Sequence, residues 1–399
     1  MSSPVIVSLQ QQGVVVPDPT SVLIGHDVIT SRIAPGVVLH PGCRIEGATT
    51  SIGPGSVIGA EGPMVVRDCQ LGHHVSLGSG FAEGSVFLDG ASIGGGAHVR
   101  PGCLLEEQAS GAHTVGLKQT ILLPYVTLGS LINFCDCLMS GGTSRKNHSE
   151  VGSSYIHFNF TPHQDKATPS LIGDVARGVL LNQPPIFLGG QGGLIGPSRI
   201  AFGSVVAAGQ IVRQDLLEPN KLFVAPSPLP GQRDYESAAY GAIERIVVNN
   251  LTYIGNLRAL TVWYRAVRLP FMAHDPFASA CHEGAMKVLA LVVEERIKRL
   301  GELVAKLPAS LNHLALHHDE RSRLHVLQQK RLLNRWPQMQ EKLVATETGD
   351  LDTLHAMAAK RTPGLRYLEW VAALGQPEQA VITTSLEQVV AKATAMWNE

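Results

Sequence analysis

The stretch IGGGAHVRPGCL, residues 93–104, contains two consecutive copies of a six-residue pattern. Each copy opens on an aliphatic residue, Ile93 and then Val99, and carries glycine at its fourth position, Gly96 and then Gly102. An aliphatic side chain every six residues suits a coil with short flat faces, in which that side chain points inward and glycine permits the positive φ of a sharp corner. The pattern therefore predicts short strands stacked in successive coils.

The same period recurs on both sides of this stretch, from about Val22 onward, and returns after an interruption in the middle of the chain. Further copies are IAPGVV (33–38), LHPGCR (39–44), IGPGSV (52–57), LGHHVS (71–76), LGSGFA (77–82), IGPSRI (195–200), AFGSVV (201–206) and AAGQIV (207–212). Each coil can bury its apolar stripe only by stacking on its neighbours. The pattern resembles the left-handed parallel β-helix of the hexapeptide-repeat transferases, and we expect this mainly β fold over residues 21–218.

The remaining chain is expected to form a lead-in strand within residues 1–20, a proline-rich linker over residues 219–234 and an α-helical domain over residues 235–399. Apolar residues spaced by three and four indicate the helices. We predict them at 235–269, 280–307, 321–333, 351–360 and 385–397. We expect the last to open on a capping box at residues 384–387, and prolines to separate them, namely Pro270, Pro308, Pro337 and Pro363.

Composition excludes several classes of partner. The net charge of −1 gives no reason to expect nucleic acid or an anionic membrane as a partner. No stretch has the length and apolar character of a membrane span, and no signal peptide is recognisable, so we expect a cytoplasmic protein. The six cysteines include no CxxC pair, which favours buried thiols over a zinc site. We therefore expect no tightly bound metal.

The segment 128–174 breaks the six-residue rhythm. In place of small and aliphatic residues it carries Arg145, Lys146, His148, His157, Asn159, His163 and Lys166. A repeat scaffold needs only its aliphatic positions, so a polar, titratable cluster in the middle of the repeats indicates a functional site.

These residue types suit acyl transfer from a thioester to an amine. The amine must be neutral to attack, so a base with a pKa near 7 has to remove its proton, and histidine meets that need. The oxyanion that forms at the thioester carbon needs a hydrogen-bond donor. An acceptor that carries phosphate would be held by arginine or lysine.

An ordered series of short blocks makes the segment recognisable. The blocks are RPGCLLE (100–106), NF (133–134), KNH (146–148), NFTP (159–162), Lys166, IGD (172–174), IFLGG (186–190) and AAG (207–209). This series resembles the acetyltransferase domain of the bifunctional N-acetylglucosamine-1-phosphate uridylyltransferase/glucosamine-1-phosphate acetyltransferase family. The resemblance implies acetyl-CoA as the donor and an amino sugar or amino-sugar phosphate as the acceptor.

Carried over by position, the resemblance also implies roles for individual residues and an assembly. His148 would be the general base, and Asn159 would hydrogen-bond the amino sugar near the reacting nitrogen. The acceptor would be bound by Arg100, Asn133, Lys146 and Lys166, and the coenzyme A site would be lined by Gly190 and Ala208. The family's active site lies between copies of a trimer, so a homotrimer is expected.

The chain also departs from the family pattern. Leu138, Val151 and Phe160 stand where the family has a lysine and two tyrosines, and an insertion separates Arg100 from Asn133. These departures leave the acceptor open. No glycine-rich loop of the G-x-G-T-R-M type is present, so we expect no uridylyltransferase activity.

Two other function classes fit the same fold. The γ-type carbonic anhydrases hold zinc with three histidines at a trimer interface, and His113 and His148 are 35 residues apart here. Ser153 occupies the position expected for the third histidine, and His157 comes later than that position. The second class is a trimeric scaffold that binds a sugar nucleotide, or no ligand, without catalysis.

Overall fold

A computed structural model describes residues 3–226, 231–232, 235–236, 239–317, 319–345, 351–361 and 364–399. In this part of the chain a left-handed parallel β-helix comes first and α-helices follow, so the predicted fold class is confirmed. None of the described helices is both long and apolar enough to cross a membrane. The expected linker, residues 219–234, lies partly outside the described residues.

Three parallel sheets form the walls of the β-helix. Sheet I contains Leu23–Ile24, Arg44–Glu46, Met64–Arg67, Gly80–Glu83, Ala97–Val99, Gly116–Lys118, Asn133–Cys135, Ile156–Phe158, Gly193–Ile195 and Ile211–Val212. Sheet II contains Ser51–Ile52, Gln70–Leu71, Val86–Phe87, Leu104–Leu105, Ile121–Leu122, Cys137–Met139, Ser170–Ile172 and Arg199–Ile200. Sheet III contains Val38–Leu39, Val57–Ile58, Ser76–Leu77, Ser92–Ile93, Ser110–Gly111, Thr127–Leu128, Glu150–Val151, Phe187–Leu188, Val205–Val206 and Leu222–Phe223.

The chain visits sheets I, II and III in turn, and the three bends of each coil are here called the I–II, II–III and III–I corners. The first residue of each copy between residues 33 and 104 points inward, as the pattern predicted, whereas in the three copies after residue 194 the inward residue comes one position earlier, at Leu194, Ile200 and Val206. Ile52, Ile58, Leu71 and Leu77 are at most 1% exposed and belong to one continuous core inside the coil. The six cysteines are also buried and free, as expected.

Glycine serves two different purposes in the repeats. At the fourth position Gly96 has φ +73°, so the prediction of a positive φ at this corner is confirmed. At the second position the φ varies, since Gly59 after Ile58 has φ +82° whereas Gly53 after Ile52 has no positive φ. A Cβ on Gly53 would instead lie 2.5 Å from the carbonyl oxygen of Gly72, so the close approach of the next coil requires glycine there.

The N-terminal segment is helical over Pro4–Gln11, which corrects the expected lead-in strand there, whereas Val15 does pair in parallel with Val38. Helix α1, Pro4–Gln11, has proline in its first turn, where the missing N–H has no intrahelical partner to lose. Ile6 and Leu9 are spaced by three, so they share one face and are buried in the core inside the coil. The helix thus covers the end of the β-helix.

The remaining helices are α2 Val175–Gly178, α3 Glu244–Trp263, α4 Leu269–Met272, α5 Pro276–Leu314, α6 Glu320–Val344, α7 Leu351–Ala359, α8 Tyr367–Ala372 and α9 Gln376–Ala395, with a π-helical turn at Tyr264–Arg268. The proline and capping-box predictions were wrong in part. Pro308 and Pro337 lie inside α5 and α6, Pro270 lies in α4, and α9 begins well before the predicted capping box, whereas Pro363 is outside the described residues. For α5, the buried Leu303 and Leu307 beside Pro308 show that packing outweighs the local penalty of proline.

Helices α3 and α5 pack against the outer face of sheet II. A second apolar core forms there between the helices and the outward side chains of that sheet, which are Val86, Leu104, Ile121, Leu138 and Leu171. Contacts of α5 with the strands Gln70–Leu71 and Val86–Phe87 and of α3 with Ser170–Ile172 define this arrangement. Sheet II is therefore buried on both faces, whereas sheets I and III carry exposed outer side chains such as Ile156 and Phe187.

Candidate functional site

The polar segment contains a β-hairpin that leaves the coil at a II–III corner. Strands Gly142–Ser144 and Asn147–His148 pair antiparallel, in contrast to the parallel pairing of the three sheets. Gly142 has φ +96°, and a Cβ on it would lie 2.5 Å from the Cα of His148. Glycine is therefore needed for the two strands to pair this closely. The pairing fixes the position of His148 at the end of the hairpin.

Both ring nitrogens of His148 have a neighbour. Nδ1 lies 2.9 Å from the carbonyl oxygen of Arg145, and because a carbonyl can only accept, Nδ1 carries the hydrogen in this contact. In the neutral ring the basic nitrogen is then Nε2, which lies 3.7 Å from Oε2 of Glu150. The His148 side chain is 20% exposed. This arrangement leaves Nε2, beside the Glu150 carboxylate, as the ring nitrogen that can accept a proton.

Arg145 fastens the hairpin to the preceding coils. Its Nη1 donates to the carbonyl oxygens of Gln108 and Tyr125 and to the hydroxyl of Thr127, each at 3.0 Å. Sequence reasoning assigned no definite role to Arg145 and none to Glu150. The position of Glu150 beside His148 could have been predicted from the sequence. The two residues are two apart, and residues two apart on an extended chain share one face. Lys146, predicted to bind the acceptor, is exposed at the hairpin tip.

Asn159 and Lys166 lie at the I–II corner and face helix α5. The amide nitrogen Nδ2 of Asn159 donates to Oδ2 of Asp136 at 3.1 Å, and Oδ1 of Asp136 pairs with Arg296 of α5 at 2.8 Å. Arg296 also donates to the carbonyl oxygen of Lys166 at 3.4 Å and to the side chain of Gln119 at 3.0 Å. Both predicted site residues are thus tied to a buried ion pair that anchors α5 to the coil.

His157 belongs to the same buried region and is not a candidate base. Nδ1 contacts the carbonyl oxygen of Cys135 at 2.5 Å and Nε2 contacts the hydroxyl of Ser170 at 2.8 Å. Burial lowers its pKa from 6.5 to about 4, with the Arg296 guanidinium acting in the same direction. His157 is therefore a neutral, hydrogen-bonded core residue at neutral pH.

Arg100 also lies at the I–II corner, where its Nη2 is 3.2 Å from the sulfur of Cys135. Asn133 is exposed on the outer face of sheet I. Gly190 and Ala208 lie at the III–I corner, in successive coils. A Cβ on Gly189 would meet the backbone nitrogen of Ala208 at 2.4 Å, and one on Gly190 would meet the carbonyl oxygen of Ser153 at 2.7 Å. Close stacking of coils therefore accounts for these glycines on its own.

Within one chain the predicted site residues are distributed over three corners and one face. His148 and Lys146 are together at the II–III corner, and Arg100, Asn159 and Lys166 are at the I–II corner. The pair predicted for coenzyme A is at the III–I corner. One chain does not bring the predicted base, acceptor contacts and coenzyme A contacts into a single pocket.

The departures from the family pattern have structural explanations. Leu138 points outward from sheet II and is buried beneath the helices, so a lysine there would have no access to water. Val151 points into the coil core and is fully buried there. Phe160 is 66% exposed. The family's phosphate-holding lysine position is thus closed off here by the helices that cover sheet II.

The zinc alternative gains no support from the geometry. His113 lies at the III–I corner, where Nδ1 is 2.9 Å from the hydroxyl of Ser130, and His148 lies at the II–III corner. Among the described residues, no three histidine, cysteine or acidic side chains are grouped so as to hold a metal ion.

Comparison with known proteins relates the β-helix to the bifunctional GlmU proteins. The GlmU protein of Trichlorobacter lovleyi is 29% identical over 222 residues, which make up 55% of this chain and 43% of the relative. That of Thermotoga petrophila is 27% identical over 221 residues, 53% of this chain and 42% of the relative. The chain thus spans less than half the length of these relatives. No family model matches the chain.

Among solved structures, LpxA from Acinetobacter baumannii covers 51% of this chain and 66% of its own length at 15% identity, with a TM-score of 0.22. A score this low carries no argument about the present chain. The sequence relatives do bear on the family resemblance inferred from the ordered blocks, and that resemblance is confirmed. The six-residue pattern, the three-sheeted coil and the similarity to the GlmU proteins together support the resemblance of the β-helix to a hexapeptide-repeat acetyltransferase domain.

Proposed function

We propose that the chain is a CoA-dependent N-acyltransferase that moves an acetyl group from acetyl-CoA to the amine of an amino sugar or amino-sugar phosphate. The observation that carries the proposal is the geometry of His148. Its Nδ1 contacts a carbonyl oxygen within the β-hairpin, and its Nε2 lies beside Glu150. The similarity to the GlmU proteins supports the same chemistry.

In the proposed reaction His148 Nε2 removes a proton from the acceptor amine while the amine nitrogen attacks the thioester carbonyl carbon. The C–N bond forms, the C–S bond breaks, and the thiolate of coenzyme A leaves and takes up a proton. Glu150, at 3.7 Å, would stabilise the imidazolium formed in the first step. A proton-transfer group in this position typically contributes about 10²–10⁴-fold to the rate.

The wider site is proposed to form between copies of the chain. Asn133, Asn159 and Lys166 would bind the acceptor, together with Arg100 and Lys146, and Gly190 and Ala208 would border the donor. Because these residues lie at different corners of the β-helix, a complete site requires corners from neighbouring subunits, which favours a homotrimer. Helices cover sheet II, so the contacts between copies would use sheets I and III. We place the enzyme in the cytoplasm.

The test is the turnover of purified protein with acetyl-CoA and a panel of amino sugars and their phosphates. We expect His148→Ala to lower kcat by about 10²-fold or more, because the amine would lose its base. His113→Ala is the matched control, since His113 lies at another corner and its ring contacts the hydroxyl of Ser130. Turnover that is equal in the two variants would exclude His148 from the mechanism.

A non-catalytic scaffold is the second candidate, and the burial of Leu138 favours it, because a phosphate contact of the family is lost there. A scaffold that lacks the donor site would not bind coenzyme A. A calorimetric titration with acetyl-CoA distinguishes the two proposals, since the enzyme must bind it.

A further inference from the structure

The outward side chains of sheet II change character at the last strand of the sheet. Five consecutive strands present apolar side chains to the helices, namely Val86, Leu104, Ile121, Leu138 and Leu171. On the last strand Arg199 pairs in register with Leu171, and its neighbour Ile200 belongs to the core inside the coil. Because successive side chains of a strand point to opposite faces, Arg199 points outward. An arginine therefore follows five apolar positions on the helix-covered face of the coil.

The guanidinium of Arg199 has no hydrogen-bond or ion-pair partner among the residues that the structure describes. Its Nε is shielded from solvent and has no acceptor. The nearby carboxylate of Asp215 does not serve, because its Oδ1 accepts from Asn249 at 2.9 Å and lies 3.4 Å from the guanidinium of Arg245. A shielded donor without an acceptor costs free energy. Arg199 is therefore a group that an external acceptor would stabilise.

Arg199 lines a cleft of about 390 Å³ between the coil and helices α2, α3 and α9. This volume lies within the range of small-molecule sites, which are mostly apolar and carry a few polar groups that orient the ligand. The cleft fits that description. Its apolar walls include Leu171, Ala176, Ile200, Leu217 and Val390.

Four charged side chains line the cleft, and two of them neutralise each other. Arg177 donates through Nε to Oδ2 of Asp174 at 2.8 Å, and its guanidinium lies 5.1 Å from the ring centroid of Phe202. The other two are Arg199 on the coil and Glu387 on α9. Within the described chain neither has an ion-pair partner, and their charged atoms are too far apart to pair with each other. The cleft therefore presents one unpaired cation and one unpaired carboxylate.

Backbone contacts hold the walls of the cleft in place. Val175, the first residue of α2, donates its backbone N–H to Oδ1 of Asn256 in α3 at 2.9 Å. Gly255 allows α9 to pack closely on α3, because a Cβ there would lie 3.0 Å from the Cα of Val390. On the coil side, the backbone N–H of Arg199 donates to Oδ1 of Asp215 at 3.0 Å. The fold thus sets the positions of the two unpaired charges.

We propose that this cleft binds a free α-amino acid with an aliphatic side chain. The carboxylate of the ligand would pair with Arg199, its ammonium with Glu387, and its side chain would lie against Leu171 and Val390. An α-amino acid suits the site because it carries both charges on one carbon atom, with an apolar group beside them. A guanidinium pairs well with a carboxylate, since two parallel hydrogen bonds can form. The cleft shares no residue with the proposed acyl-transfer site, so the proposal does not depend on that function.

Calorimetric titration of the full chain with leucine and two of its fragments tests the site. Isocaproate keeps the carboxylate and the aliphatic group of leucine but lacks the ammonium. Isoamylamine keeps the ammonium and lacks the carboxylate. We expect leucine to bind with a Kd of about 1 mM or below. Each fragment should bind about 10-fold more weakly or worse, because each leaves one of the two protein charges unpaired.

Variants assign each charge to its partner. Arg199→Gln should weaken leucine binding by about 10-fold or more and leave isoamylamine binding unchanged. Glu387→Gln should weaken leucine binding similarly and leave isocaproate binding unchanged. Both variants should keep the Tm of the unmodified protein, because neither side chain has an ion pair to lose. Lys392→Gln, which removes an exposed charge of α9 outside the cleft, is the control and should bind leucine normally.

Two results would overturn the site, namely no binding of leucine to the unmodified protein at millimolar concentration, or equal binding of leucine to the unmodified protein and Arg199→Gln. Isocaproate that binds as tightly as leucine would overturn the amino-acid part of the proposal, because the cleft would then take a simple carboxylate. Since every readout is binding, failure here is separate from failure of the acyltransferase assay.

Discussion

His148 and His157, nine residues apart, occupy opposite environments. His148 lies on a hairpin at the coil surface with Nε2 beside a carboxylate, whereas His157 is 2% exposed and has both nitrogens in hydrogen bonds. The sequence places both in one polar segment. Their burial separates a partly exposed ring at the coil surface from one that holds the I–II corner together.

The lowered pKa of His157 predicts an acid-sensitive fold. The unfolded chain takes up the proton near pH 6.5, whereas the folded chain resists protonation until about pH 4. The unfolded state therefore binds more protons in this window, and the free energy of unfolding decreases as the pH falls through it, by up to about 3 kcal/mol. Above pH 6.5 His157 adds no pH dependence.

Urea unfolding at pH 7.5 and pH 4.5 measures this effect. His157→Gln removes the titrating ring, so we expect this variant to lose less stability between the two pH values than the unmodified protein does. Carboxylates elsewhere contribute equally to both proteins, and the comparison cancels them. An identical acid sensitivity in the two proteins would contradict the role given to His157.

At the scale of elements, helix α5 is held on the coil by the buried pair of Arg296 and Asp136, whose side chains are 1% and 4% exposed. Removing one partner of such a pair leaves the other charge buried without compensation. We expect Arg296→Ala to lower the free energy of unfolding by about 3–5 kcal/mol.

Arg299→Ala on the same helix is the matched control. Arg299 pairs with Glu295 and Glu302 within α5 and does not reach the coil. Its loss should lower the free energy of unfolding by about 1 kcal/mol or less. Equal losses for the two variants in urea unfolding would mean that the pair with Asp136 does not anchor the helix.

At the scale of the whole molecule, the helices close one wall of the coil, and Leu138 lies beneath them. We expect Leu138→Lys, which introduces the residue type of the family, to lower the free energy of unfolding by about 4 kcal/mol or more, because the ammonium would be buried without a partner. Thermal and urea unfolding check this, with Leu138→Met as the control at a loss below about 1.5 kcal/mol. A stable Leu138→Lys protein would mean that the helices leave sheet II accessible.

The fold was predictable because each coil repeats a local rule. Ile52, Ile58 and the other residues that open the copies before the interruption point inward, and no distant contact is needed to see this. The site was less predictable because its partners are distant in the chain. Asp136 and Arg296 are 160 residues apart, and no local pattern joins them. Likewise, the sequence around Leu138 does not indicate that this outward side chain is covered by helices from the C-terminal half of the chain.

Helix α1 has a consequence for how copies of the chain can meet. The strand edge of a stacked coil is a template on which a further strand can add, from its own chain or from another. The first coil, where Val15 pairs with Val38, is covered by α1, whose Ile6 and Leu9 enter the core. A helix satisfies its own backbone groups and offers no such template. The end of the β-helix that α1 covers therefore offers no template for strand addition by another copy.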